Sequence, residues 1–141
     1  TSRIFVQGMK LEHIGIAVEN LKEAELLFEK LLGVASYKRE NVESEGVTTS
    51  FFDCGNVKIE LLAATDKSSP IATFVSKKGP GLHHLAFESK DIKSDLKDRK
   101  EKGFTLIHEE AKDGADNKKI SFLHPKSTMG VLTEFCQEKE E

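Results

Sequence analysis

Residues 11–33 of the chain read LEHIGIAVENLKEAELLFEKLLG. Apolar side chains alternate with polar or small ones over Leu11–Val18, and this period of two predicts a β-strand with two different faces. Asn20 and Gly33 then enclose a run with helical spacing, and both residue types are typical of helix ends. The stretch therefore predicts a strand followed by a helix.

The pattern after this helix predicts three more strands, which complete a βαβββ module. Gly55-Asn56 lies between the second and the third of them, and this pair is typical of a two-residue hairpin turn. A short helix is predicted next, from Pro70 after the N-cap Ser69 to Phe74. The three predicted strands are Ser36–Asn41, Val47–Cys54 and Val57–Leu62.

A second module with the same order begins at Leu82. A shift of 71 residues places His13 on His84 and Phe51 on Phe122, which indicates an internal duplication. The predicted elements are a strand at 82–87, a helix from Asp91 to Gly103, and strands at 104–108, 119–123 and 131–135. The predicted organisation is one domain, 9–137, with modules 9–66 and 82–137 and a helix-containing linker 67–81, whereas residues 1–8 are interpreted as a remnant of cloning.

Composition restricts the classes of function. With 141 residues, the chain suits one domain that buries a core without disulfides or a structural metal. The net charge of −3 argues against a nucleic-acid partner, and neither a membrane span nor a signal-peptide pattern is found. Cys54 and Cys136 fall in strand-like stretches and are expected to be buried free thiols. We therefore expect no nucleic-acid or membrane partner, and a reducing cytoplasmic location.

Four side chains in matched positions indicate a metal site. His13 and His84 occupy the same place in the two modules, and Glu60 and Glu134 each interrupt the last, apolar strand of a module. Any one of them alone would more simply be a structural or solvated residue. Two imidazoles and two carboxylates together suit Co²⁺, Mn²⁺, Ni²⁺ or Zn²⁺. Two open coordination positions would let a substrate with neighbouring oxygens chelate the metal, which would stabilise enolate charge.

Four segments stand out: KLEHIGIAV at 10–18, KIELL at 58–62, GPGLHHLAF at 79–87 and FLHPKSTMGVLTE at 122–134. They resemble signature segments of the methylmalonyl-CoA epimerases, a family of the vicinal-oxygen-chelate superfamily. The resemblance implies an α+β, glyoxalase-like fold in which two βαβββ modules form a cup-shaped mixed sheet around the metal, usually in a homodimer. It also implies metal binding by His13, Glu60, His84 and Glu134, with Co²⁺ or Mn²⁺ favoured over Ni²⁺ or Zn²⁺.

The expected activity is the interconversion of (2R)- and (2S)-methylmalonyl-CoA, an acyl-CoA substrate, with Glu134 taking and returning the α-proton. Lys126 and Ser127 lie in an epimerase-like loop and could bind a carboxylate or phosphate. Thr49 is also expected in the substrate site, where it matches a position at which a relative carries a second catalytic glutamate. Because threonine cannot act as a base near neutral pH, the second acid–base group stays open, with Glu43 and Glu45 as candidates by proximity.

Two rival functions remain at this point. Glyoxalase I resembles the chain equally well in its metal ligands, so a lyase acting on a glutathione hemithioacetal is the first rival. The segment His124-Pro125-Lys126-Ser127 favours the epimerase, because glyoxalases usually carry an Asp-Pro-Asp-Gly type of turn there. The second rival is a metal-free small-molecule binding protein on the same scaffold, which would be expected to lack the ligands.

Overall fold

A computed structural model of the protein describes residues 7–140, so most of the segment interpreted as a cloning remnant lies outside the described residues. Within these residues, three α-helices and eight strands follow each other in the order βαβββ, α, βαβββ. The helices are α1 Leu21–Leu32, α2 Pro70–Lys78 and α3 Ile92–Glu101. The strands are β1 Leu11–Val18, β2 Lys38–Val42, β3 Val47–Asp53, β4 Lys58–Ala64, β5 Gly81–Glu88, β6 Lys112–Asp113, β7 Lys118–Leu123 and β8 Thr133–Glu138.

All eight strands form one mixed sheet, in the order β2-β3-β4-β1-β5-β8-β7-β6. The first strands of the two modules, β1 and β5, run antiparallel at its centre. Each of them has the last strand of its own module as a parallel outer neighbour, β4 beside β1 and β8 beside β5. The sheet curls into a half-barrel, which confirms the α+β, glyoxalase-like fold expected from the sequence. The module boundaries drawn at 66/67 and 81/82 stay predictions.

Helix ends follow the predicted chemistry. The Asn20 side chain accepts a hydrogen bond from the Glu23 backbone at 3.0 Å, and Gly33 ends α1 in a left-handed conformation. Ser69 caps α2 and Asp91 caps α3 in the same way. On the convex face, α1 packs through Ala24 against the sheet, and α3 packs through Ile92 and Leu96. None of the helices between residues 7 and 140 is long and apolar enough to cross a membrane.

Three predictions about single elements are wrong. The helix α2 continues to Lys78 rather than stopping at Phe74. Residues 104–108 form no strand, since only the isolated bridge Leu106↔Leu123 pairs them, and the backbone N–H of Thr105 is taken by Ser127 Oγ. Cys54 lies exposed in the turn after β3, whereas Cys136 is a buried free thiol as expected. Side-chain hydrogen bonds such as that of Thr105 compete with sheet pairing, and periodicity alone does not reveal them.

Candidate metal centre

Four titratable side chains meet at the centre of the concave face. The Nε2 atoms of His13 and His84 lie 3.1 Å apart. Carboxylate oxygens of Glu60 and Glu134 lie between 3.5 and 3.7 Å from these nitrogens. Each of the four residues is at most 5% exposed. The structure therefore brings together the four residues that the sequence predicts as ligands.

Sheet register explains this convergence. In the central pair, His13 stands opposite Ala86 and His84 stands opposite Gly15. The outer parallel strands then place Glu60 beside Gly15 and Glu134 beside Ala86. Because Ala86 is the second-module equivalent of Gly15, the two halves supply one histidine and one glutamate each by the same geometry.

Gly15 leaves the space that the His84 ring occupies. A Cβ atom built at residue 15 would lie 2.1 Å from Cε1 of His84 and 2.4 Å from its Nδ1. No side chain fits there unless the ring moves. The absence of a side chain at residue 15 therefore makes room for the ring of His84.

The two histidines differ in charge. Burial lowers the pKa of His13, but the hydrogen bond from its ring to Glu12 and the charges of Glu60 and Glu134 outweigh burial and raise the pKa to about 9. Burial, with the charges of His13 and His83, holds the pKa of His84 well below its usual range. The two Nε2 atoms are within hydrogen-bonding distance, and the opposite pKa shifts favour His13 as the donor.

Burial also changes the two carboxyl groups. It raises the pKa of Glu134 to about 8, with His13 opposing and Glu60 adding to the effect. It raises the pKa of Glu60 to about 6, again against the charge of His13. Without another cation, two buried carboxylates next to each other disfavour ionisation.

The donor set fits a divalent transition metal. Donor atoms of His13, His84 and Glu134 all lie within 4.8 Å of one another, and Glu60 approaches the same nitrogens from the β4 side. A dipositive ion would offset the buried carboxylates and replace the proton between the rings. His13, His84, Glu134 and Glu60 would hold it.

In front of these residues lies a cavity of about 390 Å³, large enough for a small acyl group. Its walls are mostly apolar, with Phe51, Leu62 and Phe122 among them. Thr49 lines the cavity, and its hydroxyl donates to the Glu40 carbonyl at 3.3 Å; its part in the substrate site stays a prediction. Glu45 also lines it, with Lys112 Nζ at 2.8 Å from its Oε1.

Lys126 and Ser127 lie away from this lining. Both belong to a 3₁₀ turn, Pro125–Ser127, in which Lys126 is exposed. The Ser127 hydroxyl accepts the Thr105 N–H at 2.8 Å and stabilises the loop. Their part in substrate binding stays a prediction.

Two residues of the site were missed from the sequence. Oε1 of Glu12 lies 2.6 Å from Nδ1 of His13, and Nδ1 of His83 lies 2.9 Å from Nδ1 of His84. Each directly precedes a predicted ligand. The 71-residue shift that pairs the histidines also pairs Glu12 with His83, and that equivalence was the available signal.

Comparison with known proteins places the chain among enzymes. The sequence profile of the glyoxalase/bleomycin resistance protein/dioxygenase superfamily matches residues 12–122. The human mitochondrial methylmalonyl-CoA epimerase is 38% identical over 129 residues, which cover 91% of this chain and 73% of that protein. The Mycobacterium tuberculosis methylmalonyl-CoA epimerase superposes with a TM-score of 0.90 at 30% identity, over 97% of this chain and 94% of that one. A methylmalonyl-CoA epimerase solved in complex with methylmalonyl-CoA and NH4+ gives a TM-score of 0.86 at 31% identity, over 92% and 94%.

Proposed function

This chain belongs to the glyoxalase/bleomycin resistance protein/dioxygenase superfamily, and on that premise we propose that it is an isomerase that interconverts (2R)- and (2S)-methylmalonyl-CoA. One observation carries the proposal: two histidines and two glutamates converge in a buried cavity of a chain that resembles methylmalonyl-CoA epimerases over nearly its whole length. A bound divalent metal would supply Lewis-acid stabilisation of the negative charge that develops on the substrate oxygens.

Glu134 is the proposed base of the reaction. Its carboxylate lies at the floor of the cavity, within 3.6 Å of His13 Nε2 and 3.5 Å of His84 Nε2. From there it can remove the proton at C2 of the acyl group and return it to the same face. Apolar walls formed by Phe51 and Phe122 limit the access of water, and this favours charge stabilisation by fixed groups.

The opposite face of C2 needs its own proton donor. Thr49 lines the cavity but offers only a hydroxyl. We propose a water molecule near that hydroxyl or, as the alternative, the carboxyl group of Glu45, which lines the cavity. Glu43 is a weaker candidate, because the cavity lining does not include it.

The finer features of the proposal rest on the family resemblance. Co²⁺ or Mn²⁺ is the proposed metal, and Lys126 with Ser127 is proposed to bind anionic oxygens of the substrate. A homodimer is proposed as well, and the exposed apolar side chains Leu27 and Leu31 on α1 are candidates for its interface. The free thiols Cys54 and Cys136 are consistent with a reducing compartment such as the cytoplasm.

Solvent exchange at C2 tests the activity. The purified protein, loaded with Co²⁺ and then with Mn²⁺, is incubated with methylmalonyl-CoA in D₂O. We expect deuterium to enter C2 while the other epimer forms, and His84→Ala is expected to lose both. Turnover of methylglyoxal plus glutathione without this exchange would instead support the glyoxalase alternative, and a protein that binds neither metal would contradict the metal site.

A further inference from the structure

We propose that Glu12 and His83 are a matched pair of positioning residues, each holding the ring of the following histidine so that its Nε2 faces the metal centre. The inference rests on the proposed function for its metal, but the orientation of the rings can be measured without one. It concerns the residues around the ligands and assigns neither residue to the metal itself.

Two β-bulges bring these side chains to their places. Neighbouring residues on a regular strand point to opposite faces of the sheet, so Glu12 could not normally reach the ring of His13. The pairing of β1 with β5 shifts between Leu11 and His13, which leaves Glu12 as the extra residue. It shifts again between Gly15 and Ile16, where His83 is the extra residue on the other strand. A bulge re-aims a side chain in this way.

The bulges stand at equivalent positions of the two modules, 71 residues apart. Each delivers one hydrogen-bonding atom to the Nδ1 of the next residue, at 2.6 Å for His13 and 2.9 Å for His84. A hydrogen bond at Nδ1 fixes the tautomer and the ring plane of a metal-binding histidine. The repetition of both the bulge and the contact argues against a chance neighbour.

Glu12 accepts the proton of His13 Nδ1, since an ionised carboxylate only accepts. Its other oxygen lies 2.9 Å from Nζ of Lys58, which in turn lies 2.9 Å from Asp116. Glu12 is therefore held from both sides, by the ring of His13 and by the ammonium group of Lys58.

For Nε2 of His84 to bind a metal, its Nδ1 must carry the proton, so Nδ1 of His83, 2.9 Å away, is the acceptor. The ring of Phe74 packs edge-on against that of His83, with 4.9 Å between the centroids. The second module thus uses a neutral acceptor where the first uses a carboxylate.

The test combines ¹⁵N-histidine NMR with Co²⁺ affinity. Glu12→Leu removes the hydrogen-bond acceptor of His13. His83→Phe removes the acceptor of His84 but keeps an aromatic ring against Phe74. Glu12→Gln and His83→Gln keep an accepting oxygen, and Glu19→Leu makes the same change as Glu12→Leu on an exposed residue just after β1. Nδ1–H signals of His13 and His84 are recorded in the metal-free and the Zn²⁺-loaded protein.

We expect Glu12→Leu to lose the solvent-protected Nδ1–H of His13 alone, and His83→Phe to lose that of His84 alone. Each of these two variants should weaken Co²⁺ binding about 10- to 100-fold, with the larger loss for Glu12→Leu. Glu12→Gln and His83→Gln should lose less affinity than these variants, and Glu19→Leu should leave the affinity unchanged. Unchanged protection of both protons in Glu12→Leu and His83→Phe would overturn the inference. A wild-type protein that binds no Co²⁺ would contradict the proposed function, and the NMR readout of the metal-free protein would still decide the positioning roles.

Discussion

His13 and His84 both lie near Glu60 and Glu134. Their other neighbours differ, because those around His13 are charged, whereas those around His84 are aromatic or lack a side chain. His13 contacts Glu12, whose carboxylate is paired with Lys58. His84 lies over Gly15, and the ring of Phe122 packs edge-on against it at 5.9 Å between centroids. The first environment raises the pKa of its imidazole and the second lowers it. One backbone geometry, used twice, therefore gives two electrostatically different halves of a single site.

The sheet edges differ in a related way. In the first module β2 pairs with β3 over five residues, but in the second module β6 pairs with β7 over two. The short β6 leads into a turn whose Asp116 reaches Lys38 on the opposite edge at 2.8 Å. Because β6 is short, the turn that contains Asp116 is not part of the sheet and can contact Lys38 of the first module.

Replacing the glutamate of each half in turn should give the largest difference in activity between the two halves. Glu134→Gln is expected to lower C2 deuterium exchange by about 10²- to 10⁴-fold, because the base is gone. Glu60→Gln should keep the rate within about tenfold, since its amide oxygen still offers a lone pair. Metal content measured in both variants shows whether the loss is catalytic. Equal losses in two fully metal-loaded variants would mean that the halves share the proton transfer.

The next difference to test is the residue opposite each histidine, which is Gly15 for His84 and Ala86 for His13. Gly15→Ala places a methyl group where the His84 ring lies, and overpacking of this kind costs about 1–3 kcal/mol. We expect weaker Co²⁺ binding and a lower denaturation midpoint in urea. Gly8→Ala, at a position with nothing within 4 Å, is the control. Co²⁺ affinity in Gly15→Ala equal to that of the wild type would show that the ring has room to move.

Metal uptake should release protons mainly from His13 and Glu134, one group from each half of the site. In the metal-free site the pKa of His13 is about 9 and that of Glu134 about 8, while His84 is already neutral. Binding at pH 7 is therefore expected to release about one to two protons. Titration calorimetry in two buffers of different ionisation enthalpy measures this number. It should fall towards zero at pH 9.5, so affinity rises with pH across this range, and release of no proton at pH 7 would contradict the assignment.

The smallest effect is expected at the contact between the edges. Asp116→Asn weakens the ion pairs with Lys38 and Lys58, which are partly exposed and worth about 1 kcal/mol in total. Urea unfolding should show a loss of that size. Glu109→Gln, which weakens a far more exposed pair with Lys100, should leave the stability almost unchanged. If both variants lose equally, the edge contact contributes nothing specific.

Much of the fold could be predicted because its signals are local. Alternation marked β1, and Asn20 and Gly33 marked the ends of α1. The duplication then placed His13 and His84 in equivalent positions, which is why two weak signals became one hypothesis. Whether the four residues bind metal stays a prediction.

What the sequence did not reveal depends on pairing between distant strands. Nothing local shows that Glu12 and His83 occupy bulges, since a bulge is a property of two strands together. Residues 104–108 have the composition of a strand, but a hydroxyl 22 residues later takes the N–H of Thr105. The contact of Asp116 with Lys38 joins residues 78 apart in the chain and has no sequence pattern.

The two bulges also cancel each other. With one extra residue on β1 and one on β5, Leu11 lies opposite Phe87 and Ile16 lies opposite Leu82. The two strands therefore have the same register before the first bulge and after the second. Only the three pairs between them, which include both histidines, are offset by one. The two histidines thus lie in a short segment of β1 and β5 where the register is shifted by one residue, whereas the register on both sides of this segment is the same. Deleting Glu12 alone would carry the register shift on to one end of the β1–β5 pair. Deleting Glu12 and His83 together would remove the shifted segment and leave the register the same along the whole pair.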